Sequence, residues 1–184
     1  MLNAAIFLDR DGVINHNYGY VHKREDFHFI EGIFDFARHA HEQRYKLVVV
    51  TNQAGIARGY YTEEQFHQLT DWMCQQFFTA GAPIERVYFS PYHPTAGLGQ
   101  YLKDDVSRKP HPGMILQAQK DLSIDLSRSV LIGDKSSDIQ AGTAAGVGTN
   151  LLFATECSNE LGDLNYELIA TLSEAIPYLQ RGLQ

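Results

Sequence analysis

The chain has 184 residues, 44% of them apolar and 20% charged, an ordinary globular composition that argues against disorder. Fifteen Lys and Arg against twenty-two Asp and Glu give a formal net charge of −7 with His neutral. That balance argues against a nucleic-acid scaffold and leaves small metabolites as partners, an anionic one needing a local cluster of cations and metal.

In chain order, the apolar run at residues 4–8 ends in Asp9-Arg10-Asp11-Gly12 and predicts a strand buried on both faces. Residues 30–43 carry Ile33, Phe34, Ala37 and Ala40 near helical spacing. A second strand is predicted over residues 46–50, ending in Thr51-Asn52-Gln53. Thr62-Glu63-Glu64-Gln65 is a capping-box pattern, and Phe66, Leu69, Met73 and Phe77 follow as an amphipathic stripe, so a helix is predicted up to Gly81. Strands are predicted over residues 86–89, 129–132 and 147–153, and helices over 112–122, 137–145 and 167–179. Residues 91–108, rich in Pro, Gly and polar side chains, are too long for an ordinary connection. Strand alternating with helix predicts a doubly wound α/β domain with a mostly parallel sheet, with residues 1–184 forming one domain.

In such sheets ligands bind at the carboxyl ends of the strands. Asp9 and Asp11 fall there after the first strand, Thr51 and Asn52 after the second, and Asp134, Lys135 and Asp138 after the fourth, with Arg108-Lys109-Pro110 opening the preceding helix. Asp9-x-Asp11-Gly12 is not an EF-hand loop, whose glycine belongs at the sixth position and whose glutamate belongs at the twelfth, here Tyr20. No P-loop pattern occurs, and Gly146-Val147-Gly148 lacks the strand and helix of a dinucleotide fingerprint. Taken alone, Asp11-Gly12 also suits a tight turn capped by Asp9. Convergent carboxylates repel, so a divalent cation or protonation must offset them, and oxygen-only ligands favour Mg²⁺. A carboxylate can attack phosphorus, and a second one two residues on can protonate the leaving oxygen and then activate water.

The order strand–DxDG, strand–Thr, Lys, strand–Gly-Asp-x-x-x-Asp resembles the haloacid dehalogenase superfamily over residues 6–153. FLDRDGVIN, NYGYV, TNQAGIARGYYTEEQF, SRKPHPGM and IGDKSSDIQAG are similar to its heptose bisphosphate phosphatase family, with histidinol-phosphate phosphatases as neighbours. The resemblance implies a haloacid dehalogenase-like fold with little or no cap domain, and Mg²⁺-dependent hydrolysis of a sugar bisphosphate. It implies Asp9 as nucleophile and Asp11 as general acid/base. Asp9, the Asp11 backbone carbonyl and Asp134 would hold Mg²⁺, and Thr51 and Lys109 would bind the transferring phosphoryl group. Asn17, Tyr18, Gly19, Tyr20, Asn52, Gln53, Ala54, Arg108 and Lys135 would contact substrate, with Arg108 on the remote phosphate, where a guanidinium binds bidentately.

The sequence departs from its relatives in one place. They commonly carry a structural zinc in the long loop, bound by a Cys-x-His pair and a later Cys-x-Cys. Here those positions are Ser90, Tyr92, Asp105 and Ser107, so zinc is not expected. The eight histidines show no metal spacing and are expected at the surface. Cys74 and Cys157 stand far apart and no secretory or membrane segment is apparent. That predicts a cytoplasmic monomer without disulfides and without nucleic-acid or membrane partners. The competing readings are a histidinol-phosphate phosphatase, a phosphoacceptor receiver module and an inactive binding protein. A receiver places its acceptor Asp after a middle strand and lacks the second Asp.

Overall fold

The computed structural model describes residues 2–154 and 161–179. Six parallel strands, β1 (Ala5–Leu8), β2 (Lys46–Asn52), β3 (Ile84–Ser90), β4 (Val130–Gly133), β5 (Thr149–Phe153) and β6 (Glu167–Ile169), form one sheet in the order β3-β2-β1-β4-β5-β6. The helices are α1 (Ile33–Glu42), α2 (Ala54–Ala57), α3 (Glu63–Thr79), α4 (Gly113–Leu122), α5 (Ser136–Ala145) and α6 (Ile176–Leu179).

Successive side chains of a strand point to opposite faces, and both faces here are buried. Ile6 and Leu8 of β1 join Leu47, Val49, Ile132 and Leu151 beneath α1, α3 and α6. Ala5 and Phe7 join Val48, Val50, Leu131 and Leu152 beneath α4 and α5. This double burial is why the strands read as continuous apolar runs in the sequence. The order reverses between β1 and β4, and the crevice at their carboxyl ends is where a sheet of this type receives its ligand.

The predicted stripe Phe66, Leu69, Met73 and Phe77 is buried along α3. Thr62 caps that helix in a full capping box, its hydroxyl accepting from Gln65 N at 3.2 Å and Gln65 Oε1 accepting from Thr62 N at 2.9 Å. α1 begins at Ile33, because Gly32 before it is left-handed at φ 82°. It buries Phe36 where the spacing pointed to Phe34, which is only partly covered.

The helix expected over residues 167–179 is corrected at its start. Glu167–Ile169 pair with Leu151–Phe153 as β6, and helical turns follow only from Leu172. A three-residue strand is too short to show period-two alternation, and pairing with the β5 edge overrides its local preference. The single-turn α2, for which the sequence predicts no element, is equally too short to show a period. Cys74 is a free, half-buried thiol, and Cys157 lies outside the described residues. None of the eight histidines is buried. No helix among the described residues is long and apolar enough to cross a membrane.

Candidate active site

A cleft of about 580 Å³ opens at the carboxyl ends of the strands. Its wall includes Asp9, Asp11, Asn52, Gln53, Arg108, Lys109, Lys135 and Asp138. Asn17, Gly19, Tyr20 and Ala54 also line it, whereas Tyr18 is exposed outside the wall and stacks on His16. Thr51 and Asp134 sit behind the lining, Thr51 fully buried at the end of β2.

Asp9 leaves β1 with its backbone N–H still bonded to Ile132 O of β4 at 3.0 Å, so the sheet itself fixes the position of its carboxylate. Lys109 approaches from the far side of the crevice. Its ammonium is almost wholly buried and lies 2.9 Å from Asp9 Oδ1 and 2.5 Å from Asp138 Oδ1, and it donates to Val50 O at 2.8 Å. Asn52 holds the Lys109 backbone at both ends, accepting from its N–H and donating to its carbonyl, each at 3.0 Å. The Asn52 amide, expected to face substrate, thus also positions Lys109.

Burial pushes the Asp9 carboxyl up, Lys109 pulls it down, and the Asp138, Asp134 and Asp11 charges push it up again, to about 7. Burial alone would lower the Lys109 ammonium, but Asp138 and Asp9 outweigh it and hold it above the ordinary lysine value. Burial likewise raises Asp134, partly offset by Lys135.

Asp9, Asp134 and Asp138 bring carboxylate oxygens within 4.8 Å of one another. Asp134 Oδ1 is buried and has no hydrogen-bond partner, and an orphaned buried oxygen is costly. Gly12 explains how Asp134 comes so close. A Cβ at residue 12 would stand 2.1 Å from Asp134 Oδ2, and the φ of +101° there already favours glycine. Oxygen donors, excess negative charge and one unpartnered oxygen fit a hard divalent cation.

Asp11 faces a different set of partners. Arg10 donates to it through Nε at 3.1 Å and Nη2 at 2.9 Å, Asn15 Nδ2 at 3.1 Å and Gln53 Nε2 at 3.1 Å. Arg10 is itself buried, donates to Val21 O at 2.6 Å and lies over the Phe27 and Phe66 rings. The Gln53 amide also donates to Thr51 Oγ1 at 2.8 Å, which leaves the Thr51 proton to be donated onward. Tyr61 OH in turn donates to Gln53 Oε1 at 2.5 Å, and burial pushes that phenol up to about 12, so it stays a donor.

Sequence reasoning missed Arg10, Asn15 and Tyr61. One signal was available for Tyr61. It directly precedes the capping Thr62 and packs with Phe66, the pattern of a hydrophobic staple. Nothing local marks Arg10 as buried. Arg58, also unassigned from sequence, is not part of the lining, but its guanidinium is 6.0 Å from the ring centre of Tyr20, which is. Its charge adds to that of Arg108, and Arg108 and Lys135 line the cleft on a chain of net charge −7.

A family model described as HAD-hyrolase-like matches residues 106–161. The D-glycero-alpha-D-manno-heptose-1,7-bisphosphate 7-phosphatase of Burkholderia mallei (strain ATCC 23344) is 51% identical over 179 residues, 97% of this chain and 95% of the relative. The D-glycero-beta-D-manno-heptose-1,7-bisphosphate 7-phosphatase of Escherichia coli (strain K12) is 42% identical over 98% of this chain and 97% of its own length. The D,D-heptose 1.7-bisphosphate phosphatase of B. bronchiseptica, solved with magnesium and phosphate, shares the fold with a TM-score of 0.82 at 24% identity, over 97% of this chain and 98% of that one. The chain belongs to the heptose-1,7-bisphosphate 7-phosphatase family of HAD-like hydrolases.

Proposed function

We propose that the chain removes the 7-phosphate of D-glycero-D-manno-heptose 1,7-bisphosphate through a phosphoryl group carried on Asp9, a step towards ADP-heptose for lipopolysaccharide core. The observation that carries the reading is a buried Asp9 carboxylate pinned by Lys109 beside the unpartnered Asp134 Oδ1, in a cleft that Arg108 and Lys135 also line. The names of the relatives at 51% and 42% identity support the substrate.

Asp9, Asp134 and the Asp11 carbonyl would hold Mg²⁺, which when bound offsets the carboxylate charge and that of the phosphoryl oxygens. Lys109 and the Arg10 N–H both contact Asp9 Oδ1 and fix the carboxylate that would attack phosphorus. The bond from phosphorus to the sugar oxygen breaks, and Asp11 gives that oxygen a proton. Water then attacks the phosphorus of the acyl phosphate, Asp11 takes its proton, and phosphate leaves with Asp9 restored. The four hydrogen bonds donated to Asp11 hold its carboxyl group in one orientation. Lys109 and the Thr51 hydroxyl would donate to the phosphoryl oxygens, Lys109 by turning an N–H from one of its carboxylate partners. Asn17, Tyr20, Arg108 and Lys135 line the cleft where the rest of the sugar would lie.

The test is phosphate release with Mg²⁺ from the heptose bisphosphate, histidinol phosphate and a panel of sugar monophosphates, with ³¹P spectra identifying which phosphate leaves. The expected result is release of one phosphate, from carbon 7, with the highest kcat/KM on the bisphosphate. A preference for histidinol phosphate would overturn the substrate and keep the chemistry.

A further inference from the structure

Residues 91–108 leave β3 and return to deliver Arg108 to the cleft. The family resemblance implies a zinc ion joining the two legs of this loop, at positions held here by Ser90, Tyr92, Asp105 and Ser107. These residues do not fit it. Structural zinc takes four nitrogen or sulfur donors, and the four positions offer two hydroxyls, a phenol and a carboxylate. The nearby histidines are engaged elsewhere. His93 Nδ1 accepts the backbone N–H groups of Thr95 at 3.2 Å and Ala96 at 3.0 Å, and His111 Nε2 lies 3.4 Å from Asp104. Among the described residues, the cluster able to hold a metal is the carboxylate group of the cleft.

We infer that a metal-free polar clip centred on Asp105 takes the place of the zinc, joins the two legs of the loop and positions Arg108 for the remote phosphate. The last part rests on the function proposed above. Asp105 Oδ1 accepts from Ser107 N at 2.9 Å and Ser107 Oγ at 2.7 Å, and Oδ2 pairs with Lys103 Nζ at 2.5 Å. Both partners reach across to the other leg. Ser107 Oγ lies 3.0 Å from Ser90 Oγ, and Lys103 Nζ lies 5.0 Å from the Tyr92 ring centre. The four positions of the expected zinc site are therefore joined to one another, with the Lys103 ammonium as the cation among them.

The clip leads directly to Arg108. Its backbone N–H donates to Asp105 O at 2.9 Å, and its Nη1 donates to Tyr92 O at 3.1 Å, so one leg holds its backbone and the other its guanidinium. Lys103 first among its partners holds the Asp105 carboxyl down at about 2, which keeps the clip ionised at any working pH. Arg108 is accordingly bound by the loop it terminates, and Asp105 is a positioning residue.

The experiment compares the full wild-type chain with Asp105→Ala and Lys103→Met. Amide exchange over residues 91–108 is read beside turnover of the heptose bisphosphate and of p-nitrophenyl phosphate, a monoester with no remote phosphate. Asp105→Ala is expected to speed exchange in the loop and raise KM for the bisphosphate about ten-fold, leaving kcat/KM for p-nitrophenyl phosphate within about two-fold. Lys103→Met is expected to show the same pattern more weakly, because that side chain is half exposed. Wild-type protein is expected to carry no stoichiometric zinc, and chelation to leave loop exchange unchanged. Unchanged exchange and KM in both variants, equal losses on both substrates, or a zinc whose removal frees the loop would overturn the clip. Wild-type protein inert towards the bisphosphate would sink the substrate alone, and the exchange measurement would then decide the clip.

Discussion

Asp9 combines two demands that oppose each other. Burial strips water from the carboxylate that is proposed to attack phosphorus, and the same burial raises it from 3.8 to about 7. The folded chain then holds a proton that the unfolded chain releases. Stability from this group is greatest below about pH 4 and is lost as pH rises through 7. A divalent cation held by these carboxylates would replace that proton. Added Mg²⁺ is therefore expected to raise the melting temperature more at pH 8 than at pH 5, in thermal melts with and without EDTA. An equal shift at both values would contradict the assignment of the cation to these carboxylates. The charged motif residues were legible in the sequence because they fall on successive strand ends. Arg10, Asn15 and Tyr61 were not, because their roles come from contacts with Asp11 and Gln53 that only the folded chain creates.

Elements were legible where they are long or buried on two faces. β1, β2 and β4 declare themselves as apolar runs, and α3 as a capping box followed by a stripe of four residues. β6 and α2 are short and owe their form to neighbours, so no period marks them. α3 also shows how an element supports the site from a distance. Its cap and staple fix Tyr61, which bonds Gln53, which in turn bonds both Asp11 and Thr51. Thr62→Ala removes the side-chain half of the cap and is expected to cost about 1 kcal/mol in urea unfolding. The predicted kinetic effect is a lower kcat on every phosphate ester alike, because the Gln53 contacts loosen while Arg108 stays in place. A loss confined to the bisphosphate would contradict this path.

At the scale of the molecule, a sheet covered on both faces leaves one edge at which ligands can enter, and the strand order places Asp9 beside the point where it reverses. The chain is acidic overall, yet Arg108, Lys109 and Lys135 line the cleft, so the attraction for a bisphosphate is local. The long loop read from the sequence as irregular is the least legible part. Its order depends on Ser90 meeting Ser107 at a separation of 17 residues, a contact that no local pattern encodes. The central claim is that Asp9 carries the phosphoryl group. It is tested most directly by phosphate release from the heptose bisphosphate by wild-type and Asp9→Asn proteins, side by side in Mg²⁺. The account predicts that Asp9→Asn folds, with a metal-free melting temperature at pH 8 no lower than wild type, and loses turnover by at least ~10³-fold. An Asp9→Asn protein that releases phosphate at the wild-type rate would contradict it.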